Sequence, residues 1–222
     1  ISSNNNNTHT IHIGFRAGLN SIADYSTIVG SESGLYCNAS STNNIFLGYQ
    51  SGYYNSSGGF NIYIGNAAGF SNTTGLYNVS IGNASSNTAT TASFNTFVGL
   101  SSGRTNSASK VTGIGTDSLY KNTSEGSTAL GFKSGFNNTS GTGNTNVGFQ
   151  AGFSNSTGTR ITMMGYNSGY YNTGSDNTFI GYESGKANTS GAYNVYLGSQ
   201  SGDNTSNSIY QSFLGHISGK PG

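Results

Sequence analysis

Charge is what this 222-residue chain has least of. Lys and Arg number 8 and Asp and Glu 7, together 7% of the residues, against roughly 25% in an ordinary domain. The formal balance is +1 and the basic residues are scattered. No basic stripe is present to neutralise a phosphate backbone, which argues against nucleic-acid binding. The seven acids are too few for a calcium-binding roll, which needs aspartate in every coil. Asp117, Glu125, Asp176 and Glu183 show no pairing suited to glycoside hydrolysis. Cys37 is the only cysteine, so there is neither a disulfide framework nor a thiolate metal cluster; it is expected to be a small residue in a turn. His9, His12 and His216 lie at opposite ends of the sequence and are expected on the surface. The sequence predicts no enzyme, no metal and no cofactor. No run of 18 apolar residues occurs, so no transmembrane helix is expected. The chain opens at Ile1 rather than Met, and is expected to be a fragment or a processed product.

What is abundant is glycine, 35 residues, and it is periodic. From Gly14 through Gly65, Gly115 and Gly165 to Gly215, thirteen glycines recur at intervals of 16 to 18 residues. A fixed short period implies a solenoid. With this glycine as position 0, position −1 is always apolar, as in Ile64, Leu130 and Ile180, and position +3 is always Ser or Ala, as in Ser51 and Ala68. Position −3 is mostly β-branched, as in Ile45, Val79 and Thr178. These rows predict a short strand before each glycine, because alternate residues share a face. The −3 and −1 residues, Ile64, Ile81, Val98, Leu130, Val147 and Ile180 among them, are expected to point inward, opposite the small +3 wall. Asn rows at +7 and −4 suggest amide ladders. Many of these asparagines, such as Asn55, Asn72 and Asn138, with Asn38 outside the row, lie in Asn-x-Ser/Thr sequons. Turn chemistry explains those sequons better than glycosylation does.

The predicted fold is therefore all-β, a parallel β-solenoid (β-roll or β-helix) of about 12–13 coils over residues 11–219. A polar lead-in covers 1–10 and a tail covers 220–222. A single roll looks too thin to fill its own core. Aromatic rows at −2, +1 and +5 would be left in water. Association as a parallel homotrimer would cover them, and the −2 row, Phe46, Tyr63, Phe97, Phe179, Tyr196 and Phe213, is expected at the trimer interface.

The stretches Gly115-Thr116-Asp117-Ser118-Leu119-Tyr120 and Asn177-Thr178-Phe179-Ile180-Gly181-Tyr182-Glu183-Ser184 resemble the repeats of phage-tail-fibre-like proteins. They are also similar to the head β-rolls of trimeric autotransporter adhesins. The resemblance covers about residues 10–219, with a coil longer than the usual adhesin-head coil. It implies a trimeric fibre, extracellular, on a cell surface or a virion. Its expected function is structural and adhesive, with a cell-surface glycan or protein as partner. Tyr49, Tyr53, Tyr166, Tyr170 and Tyr182 are the candidate ligand-binding residues, since aromatic faces stack on sugars. Two alternatives stay open. One is a passive structural filament. The other is an ice-binding β-solenoid using the −3 threonines Thr96, Thr112, Thr128, Thr145, Thr162 and Thr178, a row that strand alternation is expected to turn inward.

Overall fold

The computed structural model describes residues 9–203 and 205–219; residues 1–8 of the expected lead-in, and the whole expected tail at 220–222, lie outside the described residues. Among these the structure is all-β, with thirteen three-residue strands and no helix. The chain divides into two compact units. Unit 1, up to Val111, holds β1 (Ile11–Ile13), β2 (Thr27–Val29), β3 (Ile45–Leu47), β4 (Ile62–Ile64), β5 (Val79–Ile81) and β6 (Thr96–Val98). Unit 2, from Thr112, holds β7 (Thr112–Ile114), β8 (Thr128–Leu130), β9 (Thr145–Val147), β10 (Thr162–Met164), β11 (Thr178–Ile180), β12 (Val195–Leu197) and β13 (Ser212–Leu214).

Within each unit every strand pairs in parallel with the next in sequence. Equivalent residues of the repeat lie opposite one another, for example Phe46↔Tyr63 and Thr145↔Thr162. Pairing continues through the turns. The amide of Gly65 donates to the Leu47 carbonyl (2.8 Å), that of Ala67 to Tyr49 (2.9 Å) and that of Gly52 to Ala68 (2.9 Å). Each unit is thus a parallel β-solenoid, and the repeat is about 17 residues throughout, as the glycine spacing predicts.

The strand faces are the reverse of the sequence-based expectation. Ile28, Phe46, Tyr63, Phe97, Met163, Phe179 and Tyr196, all at −2, are no more than 1% exposed. They fill the lumen of their own chain, so the −2 row cannot form a trimer interface; its last member, Phe213, is half-buried against Tyr196. The −1 residues expected inside face out: Leu130 is 45% and Ile180 37% exposed, while Ile64, Ile81, Val98 and Val147 are half-buried. The Ser/Ala wall does face the lumen, with Ser51, Ala68, Ser134 and Ala151 at 0%. Its hydroxyls are used, because Ser51 donates to the Tyr63 carbonyl (2.7 Å) and Ser134 to that of Asn146 (2.7 Å) in the following coil.

The reason is room. Position +4 is glycine in most coils, and it lies against the −2 ring. A Cβ on Gly69 would come within 2.5 Å of the Tyr63 ring, and one on Gly103 within 2.4 Å of Phe97. A small +3 residue and a bare +4 backbone leave a slot that an aromatic side chain fills. Burying each ring contributes about 1.5–3 kcal/mol, so the roll is not thin at all. The rings stack along the lumen, with centroids 5.3 Å apart for Phe46–Tyr63 and 4.9 Å for Phe179–Tyr196.

The asparagine rows are buried ladders. Asn44 Oδ1 accepts from the amide of Asn61 (2.8 Å), Asn61 Oδ1 from Asn78 (2.9 Å), and Asn78 Oδ1 from Asn95 (3.1 Å). At +7, Asn72 Nδ2 donates to Asn55 Oδ1 (2.6 Å) and Asn138 Nδ2 to Asn122 Oδ1 (2.7 Å). The Nδ2 atom that a glycan would need is therefore engaged inside the protein at Asn72 and Asn138. The sequons follow from turn chemistry, with Asn38 exposed. Cys37 is buried, and burial pushes its thiol up to about 11. His12 is also buried, at −2 of β1, against the expectation of a surface residue. Its pKa is lowered because desolvation disfavours the imidazolium.

Several groups in the −2 row break its chemistry, since His12 Nε2, Ser80 Oγ and the Tyr196 hydroxyl have no hydrogen-bond partner, and Asn146 is the fullest case. Asn146, at 0% exposure, has no hydrogen-bond partner on either Oδ1 or Nδ2. An unpaired buried amide costs about 1–3 kcal/mol. Asn146→Leu, of similar size, is therefore expected to raise the urea midpoint, corresponding to about 1–3 kcal/mol of added stability. A lower midpoint would mean that the amide is satisfied after all.

Candidate interaction surface

Two kinds of exposed apolar feature stand on these solenoids. The first is the outer face of the strands, made by −3 and −1 together. In unit 1 the −1 row is aliphatic throughout and the −3 row is aliphatic except at Thr27 and Thr96. Ile11 and Ile13 are each 51% exposed, Ile45 42% and Leu47 44%, and Ile62, Ile64, Val79 and Ile81 are half-exposed. In unit 2 the −3 row is threonine from β7 to β11, beside Ile114, Leu130, Val147, Met164 and Ile180. The threonine row thus points outward, opposite to the expectation from the sequence. No charged residue occupies −3 or −1 in either unit.

The second feature is a set of aromatic ladders. Phe132, Phe149, Tyr166 and Tyr182, at +1, stack in series with centroids 5.1, 5.0 and 5.5 Å apart. Tyr120, Phe136, Phe153 and Tyr170 do the same at +5, at 5.0, 5.2 and 5.0 Å. In unit 1, Tyr53 stacks on Phe70 at 5.0 Å and meets Tyr36 and Tyr54 edge-on.

The candidate tyrosines are therefore dispersed. Tyr49 and Tyr53 belong to unit 1, and Tyr166, Tyr170 and Tyr182 to unit 2, in two different rows. Stacking also limits their chemistry. Tyr166 has a ring on each side, so it presents an edge to solvent and not the face that a sugar would stack on. Tyr182 ends its ladder, with Ser199 next in the row, and is 49% exposed; Tyr49 has Ser31 and Asn66 as row neighbours and is 48% exposed. These two are the candidates best placed to offer a ring face.

A further ladder at −5 was missed in the sequence, although its fixed offset from the glycine is visible there. Phe60, Tyr77 and Phe94 stack at 4.9 and 5.2 Å, and Tyr193 and Tyr210 at 5.1 Å. All five sit at φ between 57° and 62°, a left-handed conformation that costs a residue with a Cβ about 1–2 kcal/mol. Further along the same row the rings give way to an ion pair. Arg160 Nε and Nη2 donate to the two oxygens of Asp176 at 2.6 and 2.8 Å. Asp176 is held below the usual carboxylate range by that hydrogen bond. Like rows pair with like rows, or with opposite charge, at adjacent levels.

Among the described residues no group of three His, Cys, Asp or Glu is placed to hold a metal ion, and no helix is long and apolar enough to cross a membrane. No protein-family model, curated protein or solved structure matches this chain.

Proposed function

We propose that this chain is a non-catalytic structural segment of an extracellular trimeric fibre. The observation that carries this is the aliphatic strand face of unit 1, where Ile11, Ile13, Ile45 and Leu47 stand 42–51% exposed in adjacent rows. Contiguous apolar stripes of this kind mark association surfaces on soluble proteins. Because the rows repeat at every level, copies packed in parallel would set like against like along the whole stripe. The strand face replaces the −2 rings as the subunit contact. Adhesion to a cell-surface glycan or protein would then fall to side chains away from the contact, with Tyr49 and Tyr182 as the stacking platforms.

Sedimentation equilibrium of the intact chain tests this reading. A trimer is expected at micromolar concentration. The pair Ile45→Lys and Ile64→Lys should give a folded monomer, since neither side chain fills the lumen. A wild-type chain that stays monomeric would overturn the proposal. Binding to a glycan array that is lost in Tyr49→Ala or Tyr182→Ala would support the adhesive role; an array with no binding would leave a passive filament.

A further inference from the structure

The strand face of unit 2 differs from that of unit 1 in one respect that matters to water. Thr112, Thr128, Thr145, Thr162 and Thr178 are consecutive partners in the parallel ladder, each opposite the next. Thr128 is exposed and the other four are half-exposed. Their hydroxyls have no protein partner, although threonines elsewhere in the same coils do. Thr139 Oγ1 donates to the Ser156 carbonyl (2.9 Å), Thr173 to Thr189 (2.9 Å) and Thr189 to Ser206 (2.9 Å). The turn threonines hold coils together. The face threonines hold nothing, and their donors and acceptors are open to solvent.

We propose that the β7–β11 face is an ice-binding surface, a function beyond the fibre role assigned above. Three features argue for an ordered water lattice as the occupant. The first is repeat. Hydroxyls recur along the ladder about every 4.8 Å, and the −1 side chains run parallel to them roughly 6.6 Å away along the strands. Ice is a lattice with a fixed repeat of its own, and a surface matches it over many contacts only if its groups are also fixed. The second is rigidity. β-Branched side chains have few χ1 states, and β8 to β10 are each locked between two neighbouring strands. Little ordering remains to be done on contact. The third is chemistry. Each threonine offers one hydroxyl and one methyl group, next to Ile114 (37% exposed), Leu130 (45%), Met164 (43%) and Ile180 (37%), with no charge at either row. A protein partner would have to bury five unpaired hydroxyls, which opposes a dry subunit contact here. Frozen water can bond to them.

The test is freezing hysteresis and ice-crystal shaping by the intact chain in a nanolitre osmometer. The wild type is expected to open a gap between melting and growth temperatures and to facet the crystal. The double variant Thr145→Lys and Thr162→Lys should lose the gap. Ser154→Lys, in a turn, should keep it. The pair Thr145→Val and Thr162→Val retains the methyl groups, and a reduced gap is expected if the hydroxyls contribute; a full gap would overturn that part of the argument. Circular dichroism on each variant establishes that it is folded. A folded wild type with no gap, or equal loss in the turn variant, would overturn the proposal. Sedimentation reads assembly and not hysteresis, so the fibre reading stands or fails separately.

Discussion

Gly148→Ala is expected to abolish folding or to cost about 2–6 kcal/mol, summing backbone strain and overpacking of roughly 1–3 kcal/mol each. Gly148 adopts φ +134°, a region that only glycine enters freely, and a Cβ there would stand 2.4 Å from the carbonyl oxygen of Gly165. The neighbour cannot retreat. The Gly165 amide donates to Val147 at 2.8 Å, and a Cβ on Gly165 would in turn lie 2.3 Å from the carbonyl oxygen of Gly181. The column of reference glycines is thus a line of backbone-to-backbone contact between coils. Gly143→Ala supplies the contrast, because Gly143 has φ +65° and nothing within 4 Å of its would-be Cβ. It should cost only about 1–2 kcal/mol for the left-handed conformation. Urea denaturation of both variants reads the difference. Similar midpoints would show that the column tolerates a side chain.

Leu119→Gly is expected to destabilise unit 2 by about 1–3 kcal/mol, the loss of a buried leucine (about 2–5 kcal/mol) less the relief of its left-handed backbone (about 1–2 kcal/mol). Leu119 stands at +4, where most coils have glycine, and is fully buried at φ +47°. In its own coil position −2 is Gly113. The lumen is filled there by a +4 side chain, whose Cδ2 would lie 2.9 Å from a Cβ on Gly135 in the following coil. Combining Leu119→Gly with Gly113→Phe restores the arrangement of the Phe179 and Gly185 coil. The double variant should recover most of the lost stability, giving a coupling of roughly 1–3 kcal/mol in a double-mutant cycle. Additive losses would mean that the two positions do not share space.

This exchange also explains where the sequence could be read and where it could not. The period, the strands before each glycine, the Ser/Ala wall and the asparagine ladders are local patterns, and each is visible in the chain. Alternation, however, fixes only which residues share a face, and says nothing about which face is inside. Aliphatic residues at −1 read as a core, and alternation then puts Tyr63 and Tyr196 at −2 on the opposite face. The deciding signal is the relation between −2 and +4. Gly69 accompanies Tyr63, Gly103 accompanies Phe97 and Gly185 accompanies Phe179, whereas Ser86 accompanies Ser80 and Leu119 accompanies Gly113. Residues that compensate in volume share a space, so −2 and +4 meet in the lumen. The candidate tyrosines suffered from a different gap. Their exposure follows from the repeat, but the stacking that covers the faces of Tyr166 depends on the coil spacing in three dimensions.

The fit between a ring at −2 and a bare backbone at +4 is made within one coil, as for Tyr63 with Gly69 and Tyr196 with Gly202. The coils with a ring at −2 thus carry both halves of their own packing problem, whereas the Ala129 coil, with Gly135 at +4, is filled from its neighbours by Leu119 and Asn146. Adding or removing a complete repeat that has a ring at −2 and glycine at +4 would leave the remaining coils of that kind correctly filled. A break inside the six-residue interval from −2 to +4 would pair a ring with a side chain, or leave a void. Length among such coils is therefore adjustable in whole turns, provided that the frame of the repeat is kept.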